Sequence, residues 1–464
     1  MKFKSFISIV MLAAMVVLTG CSKTNPIFES VPADADVVVK LDAVKIAGAL
    51  DIQVKDGAAV IPDYLKNSLT TSEADEIASI ASLIKNQEVV VFVNMNPQTF
   101  VVTALLSDPD KAASTITEKS GEQPLEQNGY RVWENKRAVM KGDQLWVVEG
   151  GNGSVTDAVA SILKRAADKS VADIVPVAEG LSTGAMITYA AQSANFLVKE
   201  PKNGQETVWS VCEINCDDQK LTAESKNIYP DGSDAECETL VPVNTSALQY
   251  VPAMPLFTAA VGVSSDFPWT RLLEYVSKQV PNVMGVQAQM AMVTPYLQSI
   301  DGTVLMSLGL APGITLDQAV SQVQQNPSVF RFIMMIHYKE DTARQFVEMV
   351  KAMGPQLGFN ATDVGNGLFM GEYAGMPVYF GIVDGYLTVA NYKPEPTSGS
   401  SAAAAFNEKL AGMTAEIPSM TVFNPSATYG LNAVASSGKN EGKFVLSLEN
   451  TKEKILPALI KLAQ

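Results

Sequence analysis

The chain has 464 residues, 47% of them hydrophobic, with 34 basic and 49 acidic side chains and a formal charge of −15. That apolar share is enough for real cores, and the length suggests two substantial domains. So acidic a balance argues against a nucleic-acid partner, whose phosphates demand clustered Lys and Arg.

The first twenty residues have separate jobs. Lys2 and Lys4 make a positive start, and Phe6 to Leu18 form an apolar run broken only by Ser8. The run is short of the roughly 20 residues a spanning helix needs, but has the length of a signal-peptide core. Leu18-Thr19-Gly20-Cys21 then matches a lipobox, so the chain is expected to be cut before Cys21 and to receive diacylglycerol on its thiol. Two or three acyl chains hold a protein firmly, since each buried CH2 contributes about 0.8 kcal/mol. Losing residues 1–20 removes two lysines and no acid, taking the balance from −15 to −17. Residues 21–30 read as a lipid tether.

A first α+β half is expected over 31–198. Val37–Leu41 is β-branched and reads as a strand, with Asp42 capping a helix from Ala43. Residues 72–85 have the spacing of an amphipathic helix, with Ser72 and Asp75 as a capping box and Ile77, Ile80 and Ile84 on one face. Strands are predicted at 88–94 and 100–106. A helix opens at Asp108-Pro109-Asp110, followed by Asn128-Gly129 and strands around 130–133, 137–141 and 144–149. Gly150, Gly151, Gly153 and Ser154 then precede a helix, where exposed amides could cradle an anion. The loop lacks the lysine of a phosphate loop, and a flexible connection capped by Ser154 or Thr156 is the preferred reading.

Residues 199–245 look like an acidic insertion or hairpin rather than core: 199–240 carry ten acids against four bases. Cys212, Cys216 and Cys237 all lie here. In an oxidising compartment one pair is expected to bridge, with three pairings open and one thiol left over. A zinc site is disfavoured, because a fourth ligand is missing and the only histidine, His337, is remote. Asp231, Asp234, Glu236 and Glu238 do not follow a calcium-loop spacing and read as a solvated surface.

A second α+β half is expected over 246–395, repeating the first. A strand at 330–338 leads through Glu340-Asp341 to a helix, then Asn366-Gly367 and strands at 368–373, 376–382 and 386–391. Gly142-Asp143 and Asp384-Gly385 occupy corresponding hairpin turns. Val31-Pro32-Ala33 and Tyr250-Val251-Pro252-Ala253 open the two copies alike. The expected fold is therefore α+β: two related halves of mainly antiparallel sheet with packed helices, from an internal duplication. Residues 396–464 read as a linker, strands near 427–436 and 443–449, and a helix from Thr451.

No catalytic signature is found. His337 lies in a strand pattern and reads as structural, and the common hydrolase, zinc-protease and nucleotide motifs are missing. No catalytic residue, metal or cofactor is assigned. The methionines read as core rather than as a groove for apolar or peptide ligands. Trp133, Trp146, Trp209 and Trp269 could provide sugar-stacking platforms, but four scattered tryptophans are no signature.

The lipobox, the Val31-Pro32-Ala33-Asp34-Ala35 lead into the first strand and the repeated helix-plus-hairpin units resemble Bacteroidetes-type envelope lipoproteins grouped as a domain of unknown function. The resemblance implies an α+β lipoprotein of the outer membrane with no assigned reaction, and leaves periplasmic or surface display open. The expected role is a non-catalytic module that binds an envelope protein, peptide or glycan. The alternatives are a carboxylate-dependent hydrolase of envelope polymers and a carrier of apolar ligands.

Overall fold

The computed structural model describes residues 25–55, 58–65, 83–95, 98–150, 153–193, 207–272, 294–356, 358–373, 375–396, 417–425, 430–449 and 451–463. Cys21 and residues 72–82 of the expected amphipathic helix lie outside them. The chain forms two compact units. One comprises Met1–Ser193, Gln205–Asp234 and Lys452–Gln464; the other comprises Ala194–Gly204 and Ala235–Thr451.

In the first unit, β1 (Val37–Asp42) runs into α1 (Ala43–Ala49), whose first turn is capped by the Asp42 carboxylate, accepting from the amides of Val44 and Lys45. A small hairpin, β2 (Gln53–Lys55) and β3 (Ala58–Val60), stands apart. Then come β4 (Ile84–Met95) and β5 (Gln98–Leu106). Ile84 and Lys85, expected at a helix end, instead open β4, where a register shift separates Ile84 from Val89. Next is α2 (Pro109–Ser120), started by the Asp108 cap and stopped by Gly121 at φ +68°.

The short strands β6 (Leu125–Gln127), β7 (Tyr130–Trp133), β8 (Ala138–Lys141) and β9 (Gln144–Gly150) follow. They lead to α3 (Val155–Asp168) and α4 (Val175–Leu181), then β10 (Ile187–Ser193), β11 (Val208–Cys216) and β12 (Lys220–Ile228). The strands are hydrogen-bonded in the order β12-β11-β10-β1-β4-β5-β9-β8-β7-β6, every pair antiparallel.

Strand alternation sends Val38, Val90, Phe92 and Val101 to one face, where they meet Phe28, Val159, Ile162 and Leu181. Leu41, Val89, Val91 and Val102 go to the other, against Ile46 and Leu65. Each fully buried side chain of this size contributes about 1.5–3 kcal/mol. The acidic hairpin is part of this core sheet: Val208, Trp209 and Cys212 on β11 are buried. Its charges alternate with apolar residues, which averaging over the segment hides.

The second unit contains β13 (Met254–Val263), β14 (Ile300–Leu310), α5 (Leu316–Gln322), β15 (Phe330–Tyr338) and α6 (Glu340–Met353). It continues with β16 (Thr362–Gly365), β17 (Leu368–Tyr373), β18 (Met376–Val383), β19 (Tyr386–Ala390), β20 (Ser419–Phe423), β21 (Leu431–Ser437) and β22 (Glu441–Leu448). Its order is β22-β21-β20-β13-β14-β15-β19-β18-β17-β16, again antiparallel throughout. Numbering the ten strands of each order by their place in the chain, with the separate β2–β3 hairpin left out of the first, gives the same list twice. Ile333, Met335 and Leu305 pack with Leu248 and Tyr250 on one face, while Leu387 and Phe380 meet Ala343 and Val347 of α6 on the other.

The last helix, α7 (Ile455–Ala463), belongs to the first unit. It starts four residues later than expected from Thr451.

Candidate functional site

The first unit carries a groove of about 440 Å³ at one end of its sheet. The segment before β1 contributes Ala33 and Asp34, and the last turn of α3 contributes Arg165 and Asp168, followed by Lys169. The spacing of three places Arg165 and Asp168 on one helical face, and Lys169 leaves the helix with extended backbone. Gln192 at the end of β10 and Trp209 at the start of β11 are direct cross-strand partners and form another wall with Ile174, Thr207 and Pro230.

Local hydrogen bonds fix this wall. The Ala33 amide donates to the Lys169 carbonyl at 3.0 Å, and the Gln192 side-chain amide donates to the carbonyls of Ala33 and Ala35 at 3.2 and 3.1 Å. Arg165 Nη1 donates to both oxygens of Asp34, at 3.0 and 3.1 Å, and Nη2 to Asn94 Oδ1 at 3.4 Å. Asp168 and Lys169 are exposed at the groove, so it offers both charge signs beside an indole that is otherwise core. Its volume lies in the range of small-ligand sites.

The expected anion loop is used otherwise. Gly150, at φ +82°, passes so close to β5 that a Cβ would lie 2.5 Å from the Gln98 carbonyl oxygen. Its own carbonyl accepts from Arg137 Nη2 at 3.0 Å. Gly151 lies outside the described residues. Gly153, at φ +106°, turns the chain into α3. Ser154 caps that helix, accepting from the Asp157 amide at 3.1 Å and donating to the Asp157 carboxylate at 2.8 Å.

The expected disulfide is not formed: no bond joins any two of Cys212, Cys216 and Cys237. Cys212 and Cys216 are four apart on β11, about 13 Å at the rise of an extended strand, whereas a bridge needs Cα atoms within about 7 Å. Cys237 is buried with its sulfur 3.5 Å from the Thr239 hydroxyl. Burial pushes the Cys212 thiol up; burial, then Asp217 and Asp218, push Cys216 up to about 11.

Of the acidic string, Asp231 accepts from the Ser233 amide and hydroxyl at 3.0 and 2.7 Å, and Asp234 pairs with Lys226 at 2.8 Å. Among the described residues no group of three or more His, Cys, Asp or Glu side chains is placed to hold a metal. His337, on β15, packs edge-on against Tyr386 at 5.5 Å, and its Nδ1 meets the Asp301 carbonyl.

In the sequence Ala33, Asp34 and Trp209 stand out separately with nothing to join them, and Arg165, Lys169 and Gln192 carry no signal. They are scattered over 33–230, and only the sheet order brings them together.

The fold and groove thus define an antiparallel α+β sheet protein with a cleft of charged and apolar residues at a strand end. No protein-family model matches the chain, and no curated protein matches it. Two solved structures of TP0453 are similar to part of it. Crystal form I has 11% identity over 46% of this chain and 81% of that one, with a TM-score of 0.29. Crystal form IV has 8% identity over 43% and 79%, with a TM-score of 0.24. At such scores the likeness carries no argument.

Proposed function

We propose that the chain is a lipid-anchored envelope protein, held at the outer membrane through Cys21, whose first unit is a non-catalytic binding module for a peptide or glycan. The observation that carries the binding role is the groove: Arg165, Lys169, Asp34 and Asp168 supply charges around a floor backed by the buried Trp209. The anchor rests on the Leu18-Thr19-Gly20-Cys21 pattern. Among the described residues no helix is long and apolar enough to cross a membrane.

The matching strand orders support an internal duplication of a ten-stranded unit. So does a pair of turns: Asn128-Gly129 at φ +53° and +78°, and Asn366-Gly367 at +55° and +75°, join the same ordinal strands. The duplication also fits the likeness to Bacteroidetes-type envelope lipoproteins.

Calorimetric titration of the chain from Ser22 onward, with peptidoglycan stem peptides and envelope glycan fragments, tests the binding role. Saturable binding weakened about tenfold or more by Lys169→Glu is expected. Turnover of either probe, lost in Asp34→Asn or Asp168→Asn, would favour a carboxylate-dependent hydrolase instead. Incorporation of radioactive fatty acid, abolished by Cys21→Ala, tests the anchor.

A further inference from the structure

Asn25 is buried, its Oδ1 accepting from the Ile27 amide at 3.1 Å and its Nδ2 donating to Glu88 on β4. Glu88 also accepts from Lys40 Nζ at 3.2 Å, and that ammonium donates to the Thr183 carbonyl at 2.7 Å. Ile27 and Phe28 are fully buried in the core. Residue 25 is therefore a fixed point of the first unit, not part of a loose tail.

Between Cys21 and this point lie Ser22, Lys23 and Thr24. Four Cα-to-Cα steps reach at most about 14 Å. A cysteine whose thioether sits among lipid headgroups cannot let Asn25 travel farther than that from them. Lys45, whose ammonium rests on the Gly184 carbonyl next to Thr183, and Lys85, three residues before Glu88, are exposed near the same point.

The groove lies at the other end of β4. Asn94 bonds Arg165 there, at 3.4 Å, and donates to the Asp34 carbonyl at 3.1 Å. Six residues of strand separate Glu88 from Asn94, about 20 Å. Met95, 63% exposed, marks that end.

We infer that the end of the first unit around Asn25, Lys45 and Lys85 lies against phospholipid headgroups, and that the groove opens away from the anchoring bilayer. The occupant of the first surface is thus the membrane itself. The groove is left to a soluble peptide or glycan of the compartment, not to a lipid of the anchoring leaflet. This rests on the anchor reading above.

The test places the photo-crosslinker p-benzoylphenylalanine at position 45, 85 or 95 of the full-length lipoprotein in native membranes. A second set carries twenty Gly and Ser residues inserted between Thr24 and Asn25, which adds roughly 25 Å of root-mean-square reach. Phospholipid adducts at 45 and 85 should exceed those at 95 about fivefold or more. The insertion should bring them down to the level at 95, with sedimentation and acylated mass unchanged. An acylated, sedimenting protein with equal adducts at all three positions, or with adducts indifferent to the insertion, overturns this orientation and leaves the anchor standing. An unacylated Cys21 overturns both.

Discussion

The Lys40 side chain is 2% exposed and sits on β1, where an aliphatic residue would ordinarily be found. Glu88, 26% exposed, gives it an anionic partner, and the same carboxylate fastens Asn25. Removing one partner of such a pair leaves a charge in the core without compensation, at a cost of about 3 kcal/mol when burial is complete. With Glu88 partly exposed, Glu88→Ala should lose about 2 kcal/mol in denaturant unfolding, and Lys40→Met less, since it removes the buried charge itself. Equal losses would deny the pair this role. No sequence pattern announces it, because a single lysine after three valines carries no signal of burial. The cysteines were misleading in the opposite sense: their proximity in sequence suggested a staple, but β11 extends Cys212 and Cys216 away from each other. The raised Cys216 thiol favours the neutral form, so its contribution to stability is intact below the unfolded-state value near 8.5–9 and is lost as pH rises toward about 11. At pH 8 its alkylation by iodoacetamide should be roughly a hundredfold slower than that of a free thiol; a rate matching the free thiol would contradict the described surroundings.

The elements best legible in the sequence were those with a chemical start and stop. Asp42 and Asp108 cap α1 and α2 as expected, because a short acceptor before an apolar period satisfies otherwise orphaned amides. The Asn-Gly pairs were equally clear, since both residues of a type I′ turn need positive φ. In contrast β14 and β20 went unnoticed. Ile300–Leu310 is interrupted by Gly302 and Gly309, and Ser419–Phe423 is only five residues long. The Gly129 turn offers a clean experiment, because a Cβ there meets nothing within 4 Å, so only backbone strain is introduced. Gly129→Ala should destabilise by about 1–2 kcal/mol, the cost of left-handed backbone for an L-residue. The same change at Gly121, which ends α2 at φ +68° with equally open space, should cost a similar amount. A loss only at Gly121 in thermal unfolding would show that the β6–β7 hairpin contributes little to cooperativity.

At the scale of the molecule, the sequence suggested two consecutive halves, but the first unit is discontinuous: the chain leaves it after Asp234 and returns at Lys452. The groove was illegible for a related reason, as its residues converge only when β10 and β11 pair beside β1. The returning α7 is more than an appendage. Lys454 bonds Asp51 at 2.6 Å and the Gly48 carbonyl at 3.0 Å, and the Ile455 amide donates to the Asp218 carbonyl at 2.8 Å. Ile455 is fully buried, and Leu456 and Ile460 pack on the face holding Ile46 and Leu65. One fully and two partly buried side chains correspond to about 4–6 kcal/mol of apolar burial, an upper bound because the unfolded chain is itself partly compact. That is a large share of a typical total of about 5–15 kcal/mol. A chain ending at Thr451 should therefore lose hydrogen-exchange protection at Val89, Val91 and Val102, although these residues lie some 350 positions away in sequence. Protection at Thr258 and Ala260 in the second unit should be retained, because its strands β13, β14 and β20 are untouched. Adding a peptide of residues 452–464 should restore part of the loss. Unchanged protection at Val89–Val91 would mean that α7 does not help hold the first unit together.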